Sequence, residues 1–471
     1  MWARERNFIV EKDQNMTEFM RNIDAISWSL ESDPRLRSTG ITLALLERSP
    51  DWDEVRYRFE LMTRKMPTMR CRLVESPRPA PHRWEPDPDF DFDFHLRRVT
   101  VAEPGTFDTV LEMVRVATME DFDRARPLWT VTLIEGLDGG EAALMCKFHH
   151  ALTDGVGALQ IAMTMLDFTE EPPERQVLAV FPNVPRRSWV SGYADLARYH
   201  GDLAAKTLVG AARGVPAVLL RALRRPLDTA ATVTSMAGSV YRVVRPLVGA
   251  GSPVMTERSL ARQIGVLEVS TSALRSAAKR RGGTLNDAFI AGLVRGLGHY
   301  HAKHGADVRE VHLAMPISLR SDTDDMGGNR LAPTRFNVPV DIADPADQIE
   351  AIHQRTSALR EEPLLSYTDL VAGVVNLLPV GVISSVVRQT DITASNVPGV
   401  PVPVYIGGAK VCKYYPFGST VGAAVSVTLL SYIDTCAMGI SVDSGAVPDY
   451  DVFHDCLVAG FDEVLALGGN P

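Results

Sequence analysis

Ala142-Ala-Leu-Met-Cys-Lys-Phe148-His149-His150-Ala151-Leu152-Thr153-Asp154-Gly155 is the stretch that decides the fold. Ala142 to Phe148 is an apolar run of strand length that ends on two adjacent histidines and a polar turn. Upstream, Leu128 to Ile134 alternates like a second strand, and Leu137-Asp138-Gly139-Gly140 between them carries turn residues, so the pair reads as a hairpin. Downstream, Gly157 to Leu166 places apolar residues at helical spacing, with Thr153 or Asp154 positioned to cap the first turn. Strand, polar turn and helix in succession make a place where side chains project into a cleft. Neighbouring residues of a strand point to opposite faces, so His149 and His150 cannot readily share one metal ion. One histidine in the cleft and one in the core is the geometry that follows, and no metal site is expected.

The chemistry that suits such a site is general-base activation of a nucleophile. A neutral imidazole has its pKa near the operating pH and can remove a proton from an alcohol or thiol. Asp154, four positions after His150, either orients that imidazole or holds the loop through an ion pair. Walker sequences, dinucleotide fingerprints and G-x-S-x-G elbows are absent, which removes support for phosphate-loop chemistry and serine hydrolysis. His299-Tyr-His301-Ala-Lys-His304 has the look of a metal tract, but it closes a helical pattern just before Gly305, where cations favour the helix dipole, and reads as a cap.

Around this stretch, the full chain has 471 residues, a net charge of −9 and 45% hydrophobic residues. This is ordinary globular composition, long enough for two or three domains with cores of their own. It argues against intrinsic disorder, and the acidic balance argues against a nucleic-acid partner. The five cysteines are widely spaced without a C-x-x-C pair and read as reduced thiols. No apolar stretch follows the charged N-terminus, so a secretory signal is not expected and the protein is placed in the cytoplasm. Leu370 to Val387 is an uncharged run of 18 residues, but Asn376, Pro379, Ser384 and Ser385 interrupt it, so it reads as a broken pair of buried helices.

The chain divides by composition into three parts. Residues 1–170 and 261–471 mix strand and helix patterns and form two lobes of similar α/β type. Residues 171–260 are a helix-permissive connector rich in Ala, Leu, Val and Arg. Within it, residues 186–245 hold ten Lys/Arg and three Asp/Glu, a balance of +7 that leaves −16 elsewhere. Basic residues on apolar helices suit an anionic lipid surface; a solvated linker packed across both lobes is the alternative.

The pattern H-H-x-x-x-D-G resembles the signature of CoA-dependent acyltransferases and nonribosomal condensation domains. Further stretches resemble one branch, the bacterial wax ester synthase/diacylglycerol acyltransferases. They are Arg83-Trp84 with the acidic run to His95, Arg126-Pro127-Leu128-Trp129, Asn286-Asp287, Met315 to Arg320, Gly328-Asn329-Arg330 and Ser395-Asn396-Val397-Pro398-Gly399. These landmarks run in the family's order from about residue 83 to 450. In three places the chain departs from the pattern. The family's Leu-Asp-Ala-x-Phe start reads Asn22-Ile23-Asp24-Ala25-Ile26 after a leader, with Met16 as an alternative start. The motif usually closed by Gly-Pro has Gly399-Val400, and a late Ser-Tyr-x-Gly turn reads Ser431-Tyr432-Ile433-Asp434.

The resemblance implies two chloramphenicol-acetyltransferase-like lobes joined by a helical connector, with an active-site tunnel between them. It implies transfer of a long-chain acyl group from acyl-CoA, a co-substrate rather than a resident cofactor, to diacylglycerol or a long-chain alcohol. His150 would be the general base, His149 and Asp154 would hold the motif, and Gly155 would give the turn its backbone freedom. Thr284 and Asp287 resemble a capping box, and the resemblance places Asn286 beside the histidines, where its amide suits an oxyanion. Pro127, Leu128 and Trp129 line an acyl channel or belong to plain core. A peripheral contact with a membrane or lipid droplet on its cytoplasmic side is the implied location. The rivals are a condensation-type enzyme fed by carrier proteins and a catalytically weak lipid-surface binder.

Overall fold

The computed structural model describes residues 18–77, 80–153, 157, 161–178, 186, 192–199, 201, 251–318, 331–360, 372, 375, 376 and 378–468. Asp154, Gly155, Met16, Arg320, the Gly328–Arg330 motif and most of the 171–260 connector lie outside these residues.

In chain order the first half supplies strands β1 (Glu18–Phe19), β2 (Thr39–Leu46), β3 (Cys71–Val74), β4 (Arg83–Pro86), β5 (Leu96–Thr100), β6 (Trp129–Glu135) and β7 (Ala142–His149). Its helices are α1 (Asn22–Leu30), α2 (Trp52–Lys65), α3 (Phe92–His95) and α4 (Phe107–Met119). The second half supplies β8 (Arg262–Ser270), β9 (Glu310–Ser318), β10 (Leu331–Pro339), β11 (Ile392–Val397), β12 (Tyr405–Ile406), β13 (Ala409–Phe417), β14 (Val425–Tyr432) and β15 (Thr435–Asp443). Its helices are α5 (Thr271–Lys279), α6 (Leu285–Lys303), α7 (Pro345–Arg360), α8 (Val380–Val387) and α9 (Tyr450–Ala466).

Two six-stranded mixed sheets carry the architecture, and a small three-stranded sheet (β1-β4-β3) flanks the first. The first runs β12-β13-β2-β7-β6-β5 and the second β10-β9-β11-β14-β15-β8. The β6–β7 hairpin is in register from Trp129 opposite Phe148 to Ile134 opposite Ala143. Its turn places Gly136, Gly139 and Gly140 at φ of +82°, +73° and +81°, a region that costs glycine nothing. The first sheet is completed from the other half of the chain: β13 pairs with β2, Phe417 opposite Ile41. The first half therefore does not build its sheet alone, whereas all six strands of the second sheet come from the second half.

Each sheet is covered by helices whose apolar faces match it. Val55, Phe59 and Met62 of α2 join a cluster with Leu46 and Leu144 on one face of the first sheet, and Val110 and Val114 of α4 cover Leu43, Ala143 and Met145 on the other. Asp51 and Thr106 cap these helices by accepting the backbone N–H of Glu54 and Thr109. In the second lobe Phe289, Leu293, Phe453 and Phe461 of α6 and α9 pack on Val425, Val427 and Leu429. The expectation of two lobes of the same mixed type holds.

Within the uncharged run 370–387, α8 starts after Pro379 and stops after eight residues. It is half-exposed rather than buried: Val382 is 48% exposed, because one side of the helix faces a cavity and the other solvent. Among the described residues no helix is long and apolar enough to cross a membrane. All five cysteines are unpaired.

The α6–α9 contact is so close that it works only with glycine. A Cβ on Gly460 would come 2.3 Å from the backbone nitrogen of Gly296, and neither backbone can yield. Gly460→Ala is expected to lower unfolding free energy by about 1–3 kcal/mol, measured by urea titration; unchanged stability would show that the helices can separate without loss.

Candidate active site

The site begins at the C-terminal end of β7. Alternation along this strand sends His149 into the core and leaves His150 facing an interlobe cavity. His149 is fully buried, with its ring edge-on to Trp28 (centroids 5.6 Å) and Phe122 (6.0 Å). Its tautomer follows from its partners. The Ala151 backbone N–H donates to Nδ1 at 2.9 Å, so in the neutral ring the proton sits on Nε2, which lies 3.0 Å from Glu31 Oε1.

Glu31, at the end of α1, is a residue the sequence reading missed. Its Oε1 also accepts the Ser38 backbone N–H at 2.7 Å, and the Ser38 carbonyl accepts the His150 backbone N–H at 2.8 Å. One carboxylate thus ties together α1, the start of β2 and both histidines. Burial alone would raise its pKa, but the contact with His149 and the Ser38 hydrogen bond outweigh it and hold the group below its ordinary value.

The cavity has a volume of about 570 Å³, within the range of about 300–1,000 Å³ usual for ligand sites. Ile23, Ile26 and Leu30 of α1, Phe59 and Met62 of α2, and Val382, Ile383 and Val386 of α8 give it an apolar lining. His150, Ser38, Thr42, Phe148 and Trp129 face it from the first lobe, and Met315, Thr334, Arg335, Ser395, Ser426 and Thr428 from the second. Arg335 is anchored by donation to the Val386 carbonyl at 2.9 Å, and burial lowers its pKa.

The other expected site residues separate. Trp129 lines the cavity, held by donation from its Nε1 to the Met69 carbonyl (2.7 Å) and by stacking on His95 (4.6 Å). Pro127 and Leu128 are not in the lining: Leu128 is fully buried, and its carbonyl accepts the His149 N–H at 3.0 Å. Asp287 is likewise remote from the cavity lining. It closes a capping box with Thr284 and accepts from Thr356 Oγ1 (2.7 Å) while contacting His353 Nδ1 (2.8 Å), so it binds α6 to α7. Asn286 reaches the cavity wall only indirectly, its amide donating to Met315 Sδ at 3.4 Å. Asp154 and Gly155 fall outside the described residues.

Two departures from the motif pattern meet in space. Gly399 abuts the Ser431 carbonyl, where a Cβ would lie at 1.5 Å, and Ile433 N–H donates to the Val400 carbonyl. Ile433 adopts φ +54°, a strained setting for a β-branched residue, while Asp434 accepts the Ser272 N–H at the start of α5. His299, His301 and His304 go to different partners, Glu463, Ser252 and Asp449. Among the described residues no group of three or more metal-ligating side chains is suited to hold an ion.

Two lobes enclosing an apolar cavity, with a histidine on its wall, form the fold shared by acyltransferases and condensation domains. The wax ester synthase/diacylglycerol acyltransferase from Marinobacter aquaeolei VT8 superposes with TM-score 0.63 over 96% of this chain and 100% of that chain, at 20% identity. The first condensation domain of the calcium-dependent antibiotic synthetase gives 0.61 over 98% of each, at 13% identity. Residues 20–289 match the wax ester synthase/diacylglycerol acyltransferase catalytic domain and residues 327–464 the WS/DGAT C-terminal domain. The chain belongs to this family and is an acyltransferase. A Mycobacterium tuberculosis protein named as a diacylglycerol O-acyltransferase, Rv2484c, is 34% identical over 95% of this chain and 92% of its own length. A second from that organism, tgs2, named for the same activity, is 30% identical over 78% of this chain and 79% of its own.

Glu31→Ala strands two buried donors and is expected to cost about 2–4 kcal/mol of stability, with a fall in kcat. The Glu31 pKa is lowered in the folded chain, so its contribution is complete above the ordinary value of 4.5 and is lost as pH falls below it. The stability gap between wild type and variant in urea titrations should therefore narrow as pH falls below 4.5; a constant gap down to acid pH would contradict this role.

Proposed function

We propose that the protein transfers a long-chain acyl group from acyl-CoA to the hydroxyl of diacylglycerol, a fatty alcohol, or both, with His150 as general base. The observation that carries this reading is the position of His150 on the wall of a large apolar interlobe cavity, in a chain whose relatives are named for diacylglycerol acylation. The imidazole takes the proton of the acceptor hydroxyl as its oxygen forms a bond to the thioester carbonyl carbon. The tetrahedral adduct then collapses, the C–S bond breaks, and the imidazolium returns the proton to the CoA thiolate. His149 cannot substitute, because both of its nitrogens are engaged in the core. Apolar walls on both lobes suit two lipid chains entering one cavity, and they exclude the water that would hydrolyse the thioester.

Purified protein assayed with labelled palmitoyl-CoA and either diolein or hexadecanol should form triacylglycerol or wax ester. His150→Ala should cut turnover by about 10²–10⁴-fold. Equal turnover by the variant would remove His150 from the reaction.

The same reading extends to location: substrates and products are lipids, and residues 186–245 carry a +7 balance suited to an anionic surface. Wild type should float with phosphatidylglycerol-containing liposomes and a charge-reversed 186–245 variant should not; equal flotation would rule out this attachment.

A further inference from the structure

The strand β14 divides its side chains between two environments. Val425, Val427 and Leu429 enter the second-lobe core, and Ser426, Thr428 and Leu430 face the cavity. Two other hydroxyls on the cavity wall have partners: Ser426 Oγ donates to the Ser419 carbonyl at 3.2 Å, and Thr334 Oγ1 to the Met315 carbonyl at 2.6 Å. Thr428 differs. It is 4% exposed, and its Oγ1 makes no hydrogen bond to any described residue. A buried hydroxyl in that state loses its hydration with nothing to offset the loss, so its retention calls for a partner supplied from elsewhere.

The setting of Thr428 is the cavity wall. A Cβ on Gly418 would come 2.4 Å from Thr428 Oγ1, so only a glycine at this position leaves room for the hydroxyl. Gly418 directly follows Phe417, which pairs with Ile41 of β2. Three residues back along that segment, Ser38 holds the His150 backbone N–H. Thr428, on the second sheet, and His150, at the end of the first, line the same cavity.

We propose that Thr428 Oγ1–H is a hydrogen-bond donor to the oxyanion formed during acyl transfer. The inference rests on reading the cavity as the acyl-transfer site and adds the group that meets the developing charge. As the acceptor oxygen bonds to the thioester carbon and His150 takes its proton, the carbonyl π electrons move onto oxygen. Thr428 donates to that oxygen and keeps its own proton. When the C–S bond breaks the carbonyl re-forms, and the hydroxyl is left as it began. Base and oxyanion donor then come from opposite lobes. Asn286, the residue expected for this task, has its amide on Met315 instead.

The test uses full-length protein and two acyl-CoA analogues. In one, a trifluoromethyl ketone replaces the thioester and yields a tetrahedral adduct; in the other, a methylene replaces the carbonyl and no oxyanion can form. Thr428→Val removes the hydroxyl at nearly constant volume, Thr428→Ala is a second hydroxyl-free variant, and Thr428→Ser retains the donor. Both hydroxyl-free variants should bind the ketone at least about tenfold more weakly and the methylene analogue within about twofold of wild type. Their kcat should fall by about 10²–10³ with little change in KM for acyl-CoA, and Thr428→Ser should restore both. Wild-type ketone affinity and kcat in Thr428→Val would overturn the proposal. Should wild type bind both analogues yet acylate neither diolein nor hexadecanol, the acceptor reading fails, while the ketone affinities still decide the role of Thr428. Binding of neither analogue by wild type would remove the cavity as the site and this inference with it.

Discussion

The arrangement depends on one buried carboxylate facing one buried imidazole. Glu31 and His149 meet inside the first lobe, and the Ala151 N–H on the far side of the ring decides which nitrogen carries the proton. Because Glu31 also accepts from Ser38, the contact fixes the start of β2 against the end of β7. His150 inherits its direction from this: with its neighbour committed to the core, strand alternation leaves it the cavity. The adjacent histidines thus divide between a buried anchor and a side chain presented to the cavity, and the anchor is inseparable from α1, whose apolar residues also line the cavity.

The second constraint is the seam between lobes. Strand β13 belongs by sequence to the second half and by hydrogen bonding to the first sheet. It lies close enough to the second sheet that a Cβ on Gly439 of β15 would come 2.0 Å from the Pro416 carbonyl. Such a contact holds the two sheets at a fixed separation where they touch. The cavity occupies the space beside the seam, bounded by a largely apolar first-lobe wall and a Ser/Thr-bearing face of the second sheet. The proposed acyl transfer would use both, the chains taking the apolar volume and the reacting carbonyl the donors.

Much of this was legible in the sequence because it is local. The β6–β7 hairpin, its glycine turn, the opposed histidines and the Thr284–Asp287 cap are each specified within a few residues, and the ordered motifs named the family. Contacts between distant segments leave no periodic trace. Nothing near Glu31 announces that it will reach a histidine more than a hundred positions away, and nothing in Ala409–Phe417 shows that it will pair with β2 rather than with its own lobe. Thr428 reads as one more residue of an apolar strand until the fold shows its hydroxyl buried and unmatched. Asp287 does more than the cap that its sequence announces: its carboxylate is taken up by His353 and Thr356 as well as by Thr284, and the helix that carries those two residues leaves no sign in the motif.

In the proposed reaction the thioester sits in the interlobe cavity with His150 on one side. A crystal structure of the protein with a non-hydrolysable acyl-CoA thioether tests it most directly. The sulfur and the carbon next to it should lie inside the cavity, on the side where His150 projects, with the acyl chain against α1 and α8. An analogue bound with its sulfur outside the cavity, or on the His149 side of β7, would contradict it.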